Sequence, residues 1–221
     1  MIEVTYVNHM GDDLSVVNAA RVSFGKKSDW MMRVHNGEAK VLQHKDDKLI
    51  KYLAREKHKS PFNHAFATFH VKAPVFVARQ LVKHEYMPWN EISRRYVDND
   101  PEFYVPDVWR GRSADKKQGS AGTITISDDI VEDLYDDTVA RYRLLLEIGV
   151  APEQARMILP QSTMTEFYWS GSLDAFADMC NLRCKPDTQY ESQLVANQID
   201  KEMAKLFPVS WEALRGNDND D

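Results

Sequence analysis

The alternation of apolar and polar side chains from Ile2 to Val7 has the period of a strand with one buried face. Asp13 then reads as the cap of a helix through Leu14, Val17 and Ala20. Beyond Asp46, the residues Leu49, Ile50, Leu53 and Ala54 fall on one helical face that runs out near Lys57-His58-Lys59, with Pro61 just past it. Ala65 to Lys72 is rich in β-branched and aromatic types and predicts a strand, and Pro74 predicts the first turn of a helix reaching His84. Ile130, Leu134, Val139, Tyr142 and Leu145 predict a long helix from Asp128 to Val150, capped by Ser127, with a short helix after Pro152. Thr163–Trp169 predicts a further strand, Leu173–Cys184 a helix, and Thr188–Leu206 a long terminal helix.

Two stretches lack such a period. Arg112 to Ala121 predicts an exposed loop, taken over the wider span 110–126, and the acidic tail 216–221 predicts a frayed end. No repeat of 20–50 residues interrupts the pattern, so one α+β domain over residues 1–221 accounts for it.

Composition narrows the classes. Of 221 residues, 43% are hydrophobic, enough for a real core in a single unit. Twenty-eight basic against 34 acidic residues leave a net charge of −6, which argues against broad nucleic-acid or membrane binding and makes any phosphate site local. Two cysteines, Cys180 and Cys184, suit a reducing compartment, and no leader-like or membrane-spanning run is evident, so a cytoplasmic location is expected. Four apart on one predicted helix, with no second pair, these cysteines read as core rather than zinc ligands, and no metal is expected.

Candidate chemistry gathers in Arg79-Gln80-Leu81-Val82-Lys83-His84-Glu85 and Asn90-Glu91-Ile92-Ser93-Arg94-Arg95-Tyr96. On a continuous helix Gln80, Lys83 and His84 would share one face and converge on an anion. Ser93 and Arg95, with nearby backbone N–H groups, are the donor types that grip phosphate. Ser93 has no His-Asp partner pattern to make it a nucleophile. Generic ATP, dinucleotide, zinc-protease and serine-hydrolase signatures do not occur.

These two segments resemble the signature of the flavin-dependent thymidylate synthase family, Arg-His-Arg, a spacer, then Asn-Glu-x-Ser-x-Arg-Tyr. The resemblance continues in order through Ala19-Ala20-Arg21-Val22-Ser23-Phe24, His58-x-Ser60-Pro61-Phe62-x-His64, Ala155-Arg156-x-x-Leu159-Pro160 and Asn181-Leu182-Arg183, spanning about residues 13–210. It implies an α+β fold around a central antiparallel sheet flanked by long helices. It also implies a homotetramer with shared active sites and reductive methylation of dUMP to dTMP. The implied cofactor is FAD, with NADPH as reductant and methylenetetrahydrofolate as carbon donor.

Carried over by position, dUMP contacts fall on Gln80, Lys83, Glu91, Ile92, Ser93, Arg94, Arg95, Arg156 and Arg183. Arg183 is the implied catalytic residue, facing the uracil and favouring an anion at N3. Implied FAD contacts are Ser23, His58, Ser60, Lys83, His84, Glu85, Glu91, Ser172, Asp174 and Asp178. The chain departs from the signature with Lys83-His84-Glu85 for Arg-His-Arg, Pro88 in the spacer, and Ser172 and Asp178 at positions where asparagines are expected. The alternative these departures suggest is a non-catalytic nucleotide-binding protein without flavin chemistry, or a related dUMP-modifying enzyme.

Overall fold

The computed structural model describes all residues except 35–37, 115–118, 128 and 217–221, and describes only the backbone of 33, 34, 38 and 39. A four-stranded antiparallel sheet is its centre, in the order β1 (Glu3–Met10), β4 (Phe66–Pro74), β8 (Met164–Ser172), β5 (Trp89–Glu91). The long pair β4–β8 runs in unbroken register from Phe66↔Ser172 to Pro74↔Met164. Alternation explains the layering, because Ala67, Phe69, Val71 and Ala73 of β4 and Phe167, Trp169 and Gly171 of β8 are buried. The intervening Thr68, His70, Lys72, Glu166 and Tyr168 form a more open face, where His70 Nε2 lies 3.1 Å from Glu166 and Lys72 lies 2.6 Å from Glu102.

Helices α6 (Leu173–Arg183) and α7 (Tyr190–Leu206) cover the apolar face. Phe176 meets Phe69 and Trp169 edge-on at centroid separations of 5.3 and 5.5 Å. Helices α1 (Asp13–Arg21), α2 (His44–Arg55) and α8 (Pro208–Arg215) close that end of the core. A buried ion pair ties α1 to α2. Arg21 donates from Nε and Nη2 to Asp46 Oδ1, which also accepts from Ser28 Oγ at 3.0 Å.

Several boundaries differ from those read in the sequence. The cap of α1 is Asp12, whose carboxylate accepts from Ser15 N while Ser15 Oγ accepts from Asp12 N. Asp13 is instead buried and accepts from Val209 N and Ser210 N, capping α8 from across the chain. Strand β4 extends through Pro74, and α3 (Val75–Leu81) stops three residues short of His84. The expected loop 110–126 is largely a hairpin of β6 (Trp109–Arg112) and β7 (Ser120–Ile124), its tip outside the described residues. Helix α4 (Asp129–Glu147) ends earlier than Val150, at a turn where Gly149 has φ +90°. Its expected start at Asp128 lies outside the described residues, as does nearly all of the acidic tail. Strand β8 continues from the predicted segment to Ser172, and α7 begins at Tyr190 rather than Thr188. The short hairpin β2 (Met31–Val34) with β3 (Glu38–Val41), strand β5 and helix α8 were not anticipated. Helix α5 (Pro152–Ala155) is the one expected after Pro152. No helix among the described residues is long and apolar enough to cross a membrane.

Candidate active site

The turn that follows α3 organises the site. Val82 N still bonds Ala78 O, but His84 N reaches only Leu81 O, and Tyr86 takes φ +59°. The backbone must turn here because Met87 is buried and Trp89 pairs with Trp169 of β8, stacking on Phe167 at 3.6 Å. Gln80, Lys83 and His84 therefore do not share one helical face. Gln80 turns to the start of α7, donating to Gln189 Oε1 and accepting from Ser192 Oγ at 3.0 Å.

Three concavities meet around this turn. A cavity of about 540 Å3 contains Glu91, Ile92, Arg94 and Arg156 together with Arg79 and Val82. A second, of about 900 Å3, contains Gln80, Lys83 and Arg183, and shares Arg79 and Val82 with the first. A third, of about 660 Å3, contains Lys83, His84, Glu85, Ser172, Asp174 and Asp178. Lys83 thus belongs to the second and third at once.

In the first cavity, both carboxylate oxygens of Glu91 are engaged. Thr165 Oγ1 donates to one at 2.6 Å and Trp89 Nε1 to the other at 3.2 Å. Arg94 Nη1 donates to Asn99 O at 2.8 Å, so its guanidinium holds the loop together while its backbone remains beside Ser93 and Arg95. Arg156 Nε donates to Glu153 O at 3.2 Å, and Arg95 Nε lies 3.6 Å from the Glu153 carboxylate, so the two arginines are joined through one residue. Ser93 and Arg95 themselves lie outside the wall of this cavity, and Glu153 is the residue that links Arg95 to it.

In the second, Arg183 Nε donates to His84 Nε2 at 3.1 Å and Nη2 to Gln80 O at 3.4 Å. Burial and the Arg183 charge hold His84 down, to about 4, so it is neutral and accepts at Nε2. Burial likewise lowers Arg183, which remains a cation.

In the third, Lys59 donates to Asp178 at 2.6 Å and lies 3.4 Å from Asp174. The hydrogen bond to Asp178 raises the Lys59 ammonium, whereas burial raises the Asp174 carboxyl against the pull of Lys59. Ser172 Oγ accepts from Ala175 N at 3.2 Å and so serves as the cap of α6. Ser23 lies in an exposed turn after α1, and His58 and Ser60 flank Lys59; none of the three is in this cavity wall. Lys59 was missed because it occupies the variable position of His58-x-Ser60, although a cation between two of the implied contacts was a readable signal. Gln189 and Ser192, which fix Gln80, carried no signal, since their contact is 109 or more residues away in sequence.

The two cysteines are unpaired; Cys180 is buried and its thiol points to Ala196 O at 3.7 Å. Asp200, which lies beside both, is held by Trp211 Nε1 at 3.0 Å and Arg215 Nε at 2.7 Å.

A family model described as thymidylate synthase complementing protein matches residues 5–209. The flavin-dependent thymidylate synthase of Thermus thermophilus is 38% identical over 212 residues, 95% of this chain and 74% of that protein. That of Thermosipho melanesiensis is 39% identical over 212 residues, 94% of this chain and 87% of that protein. Among solved structures, the UMP/dUMP methylase PolB of Streptomyces cacaoi bound with 5-Br dUMP superposes with a TM-score of 0.80 at 32% identity. The match covers 98% of this chain and 95% of that one. With a family model spanning nearly the whole length and relatives at this identity, the chain belongs to the thymidylate synthase complementing proteins, the family of the flavin-dependent thymidylate synthases.

Proposed function

We propose that the protein methylates dUMP to dTMP, drawing the carbon from methylenetetrahydrofolate and the reducing equivalents from NADPH through bound FAD. The observation that carries this reading is the turn at 82–85, around which three cavities gather Arg79, Arg94 and Arg156, the held Arg183 guanidinium and a mixed-charge cleft. Arg95 and Arg156, with Ser93 and the backbone at Arg94, would take the nucleotide phosphate, and Arg183 would face the uracil. Glu91 and Ile92 would contribute from the first cavity, and Gln80 and Lys83 from the second.

The third cavity fits a flavin by the chemistry of its donors. Ammonium groups at Lys59 and Lys83 suit a diphosphate, and the Asp174 and Asp178 carboxylates can accept from ribityl hydroxyls. His84 and Glu85 add a neutral ring and a further acceptor. When bound, the flavin supplies the hydride that a transferred methylene needs to become a methyl group. The chain's own part is to orient the uracil, stabilise negative charge on it through Arg183, and keep the nucleotide registered by its phosphate.

The two cavities share Arg79 and Val82, yet neither contains both Arg156 and Arg183, a division in keeping with a homotetramer in which sites combine residues of different copies. Free cysteines support a reducing, cytoplasmic location. The visible spectrum of the purified protein, followed by the mass of the product formed from dUMP, tests the reading. Flavin bands bleached by NADPH and a dTMP product are expected. A colourless protein that binds dUMP without turnover would instead establish a nucleotide-binding module. For shared sites, mixing inactive Arg156→Ala and Arg183→Ala copies should restore about a quarter of the sites, whereas no recovery after verified mixing would place both arginines in one chain's site.

A further inference from the structure

Resting on the proposed role of Arg183, we infer that His84 is a positioning residue for nucleotide binding, fixing the Arg183 guanidinium by accepting its Nε–H. The imidazole reaches Arg183 at 3.1 Å from a turn 99 residues away, and Gln80 O accepts from Nη2 at 3.4 Å. Of the five N–H donors of a guanidinium, this leaves the Nη1 pair and one Nη2 hydrogen uncommitted, while Arg183 lines the 900 Å3 cavity. A long side chain held at both its Nε and one Nη is limited to a narrow set of rotamers, so its remaining donors keep one direction before the nucleotide arrives.

The imidazole is itself held. It packs against Trp169 with ring centroids 6.4 Å apart, and Trp169 is fully buried between Trp89 and Phe176. Only an uncharged ring can accept at Nε2, and a second cation there would push the guanidinium away. His84 also lines the 660 Å3 cleft assigned above to the flavin, whereas it meets the 900 Å3 cavity only through its bond to Arg183.

Two substitutions in the flavin-loaded protein separate these roles. His84→Phe keeps an aromatic ring against Trp169 and removes the acceptor, whereas His84→Gln keeps an acceptor oxygen on a shorter, uncharged side chain. Calorimetric titration with dUMP should show affinity weakened roughly tenfold in His84→Phe and restored to within about threefold of wild type in His84→Gln, with flavin absorbance and thermal unfolding recorded for each. Equal dUMP affinity in wild type and folded His84→Phe overturns the inference, as does a His84→Gln variant no better than His84→Phe. Loss of flavin from His84→Phe with dUMP affinity intact would assign the ring to the flavin alone and overturn it as well. Arg183→Ala serves as the reference: if it leaves dUMP affinity and turnover unchanged, the proposed role of Arg183 fails first, and the role of His84 with it. If Arg183→Ala weakens both and His84→Phe neither, only the positioning role fails.

Discussion

Because His84 is neutral in the fold and would titrate near 6.5 when unfolded, the stability of the protein carries a pH signature that can be assigned to this ring. The groups that face it are Arg183, which lowers its proton affinity, and Asp178, which raises it, with Lys59, Lys83, Glu85 and Asp174 around the same cleft. Desolvation is the larger cause, and the folded value falls to about 4. Between those two values the unfolded chain binds a proton that the folded chain does not. The contribution is therefore fully present above pH 6.5 and is lost as the pH falls toward 4. From about pH 7 to about pH 5 the linkage integral is about 2 kcal/mol, reduced to about 1 kcal/mol because the ring is only partly buried and solvent screens it. Urea unfolding of wild type and His84→Gln at both pH values measures it, since the other six histidines are common to both proteins and cancel in the difference. Wild type should lose about 1 kcal/mol more than the variant on acidification. An equal loss, or a larger one in His84→Gln, would refute a neutral, acceptor His84.

Replacing Arg183 with Ala should lower turnover by about 10²–10³-fold, the cost of removing a donor aimed at developing charge, while the melting temperature stays close to that of wild type; near-normal turnover would remove it from the catalytic role. Asp46→Ala strips the buried partner of Arg21 and Ser28 and should destabilise by about 3–5 kcal/mol, read as a fall of about 10 °C in Tm, and a shift of about 2 °C or less would show the pair to be solvated. Asp13→Ala leaves the Val209 and Ser210 N–H groups without their acceptor and should cost about 2 kcal/mol. Asp13→Asn should recover part of that in the same melts, and equal losses in both variants would point to packing rather than capping.

What the sequence made legible depends on whether the cause was local. The β4 and β8 strands announce themselves because alternation at Ala67-Thr68-Phe69-His70-Val71 and Thr165-Glu166-Phe167-Tyr168-Trp169 reflects one buried face, and the sheet realises it. The end of α3 was misread because its apolar period continues through Val82, whereas the break is imposed by pairing of Trp89 with Trp169, 80 residues on. Helix α8 depends on a cap donated by Asp13 from 196 residues away, and no local pattern can encode that. The hairpin β6–β7 has no buried face to impose alternation, as Arg110, Arg112, Ala121 and Thr123 are all exposed, so its composition resembled that of a loop. The same division holds at the site. Residue types in the two motifs suggested anion binding, but only the turn distributes Gln80, Lys83 and His84 to different partners.

That distribution makes the departures at positions 83 and 85 unequal. Lys83 lines both the cavity that contains Arg183 and the cleft that contains Lys59, Asp174 and Asp178, whereas Glu85 lines only the cleft. A lysine at 83 preserves a cation for both compartments although it lacks the bidentate fork of arginine. Glu85 adds a negative charge to a cleft that already holds two carboxylates, and Lys59 supplies a cation there besides Lys83. Lys83→Gln should therefore weaken both flavin retention and dUMP affinity, by several-fold each for a partly screened charge. Glu85→Arg, by contrast, should strengthen flavin retention and leave dUMP affinity within about twofold. Fluorescence titration with FAD and calorimetry with dUMP give the two affinities separately. If Glu85→Arg moved the dUMP affinity as far as the flavin affinity, the two compartments would be one electrostatic site, and the division of this turn between them would be wrong.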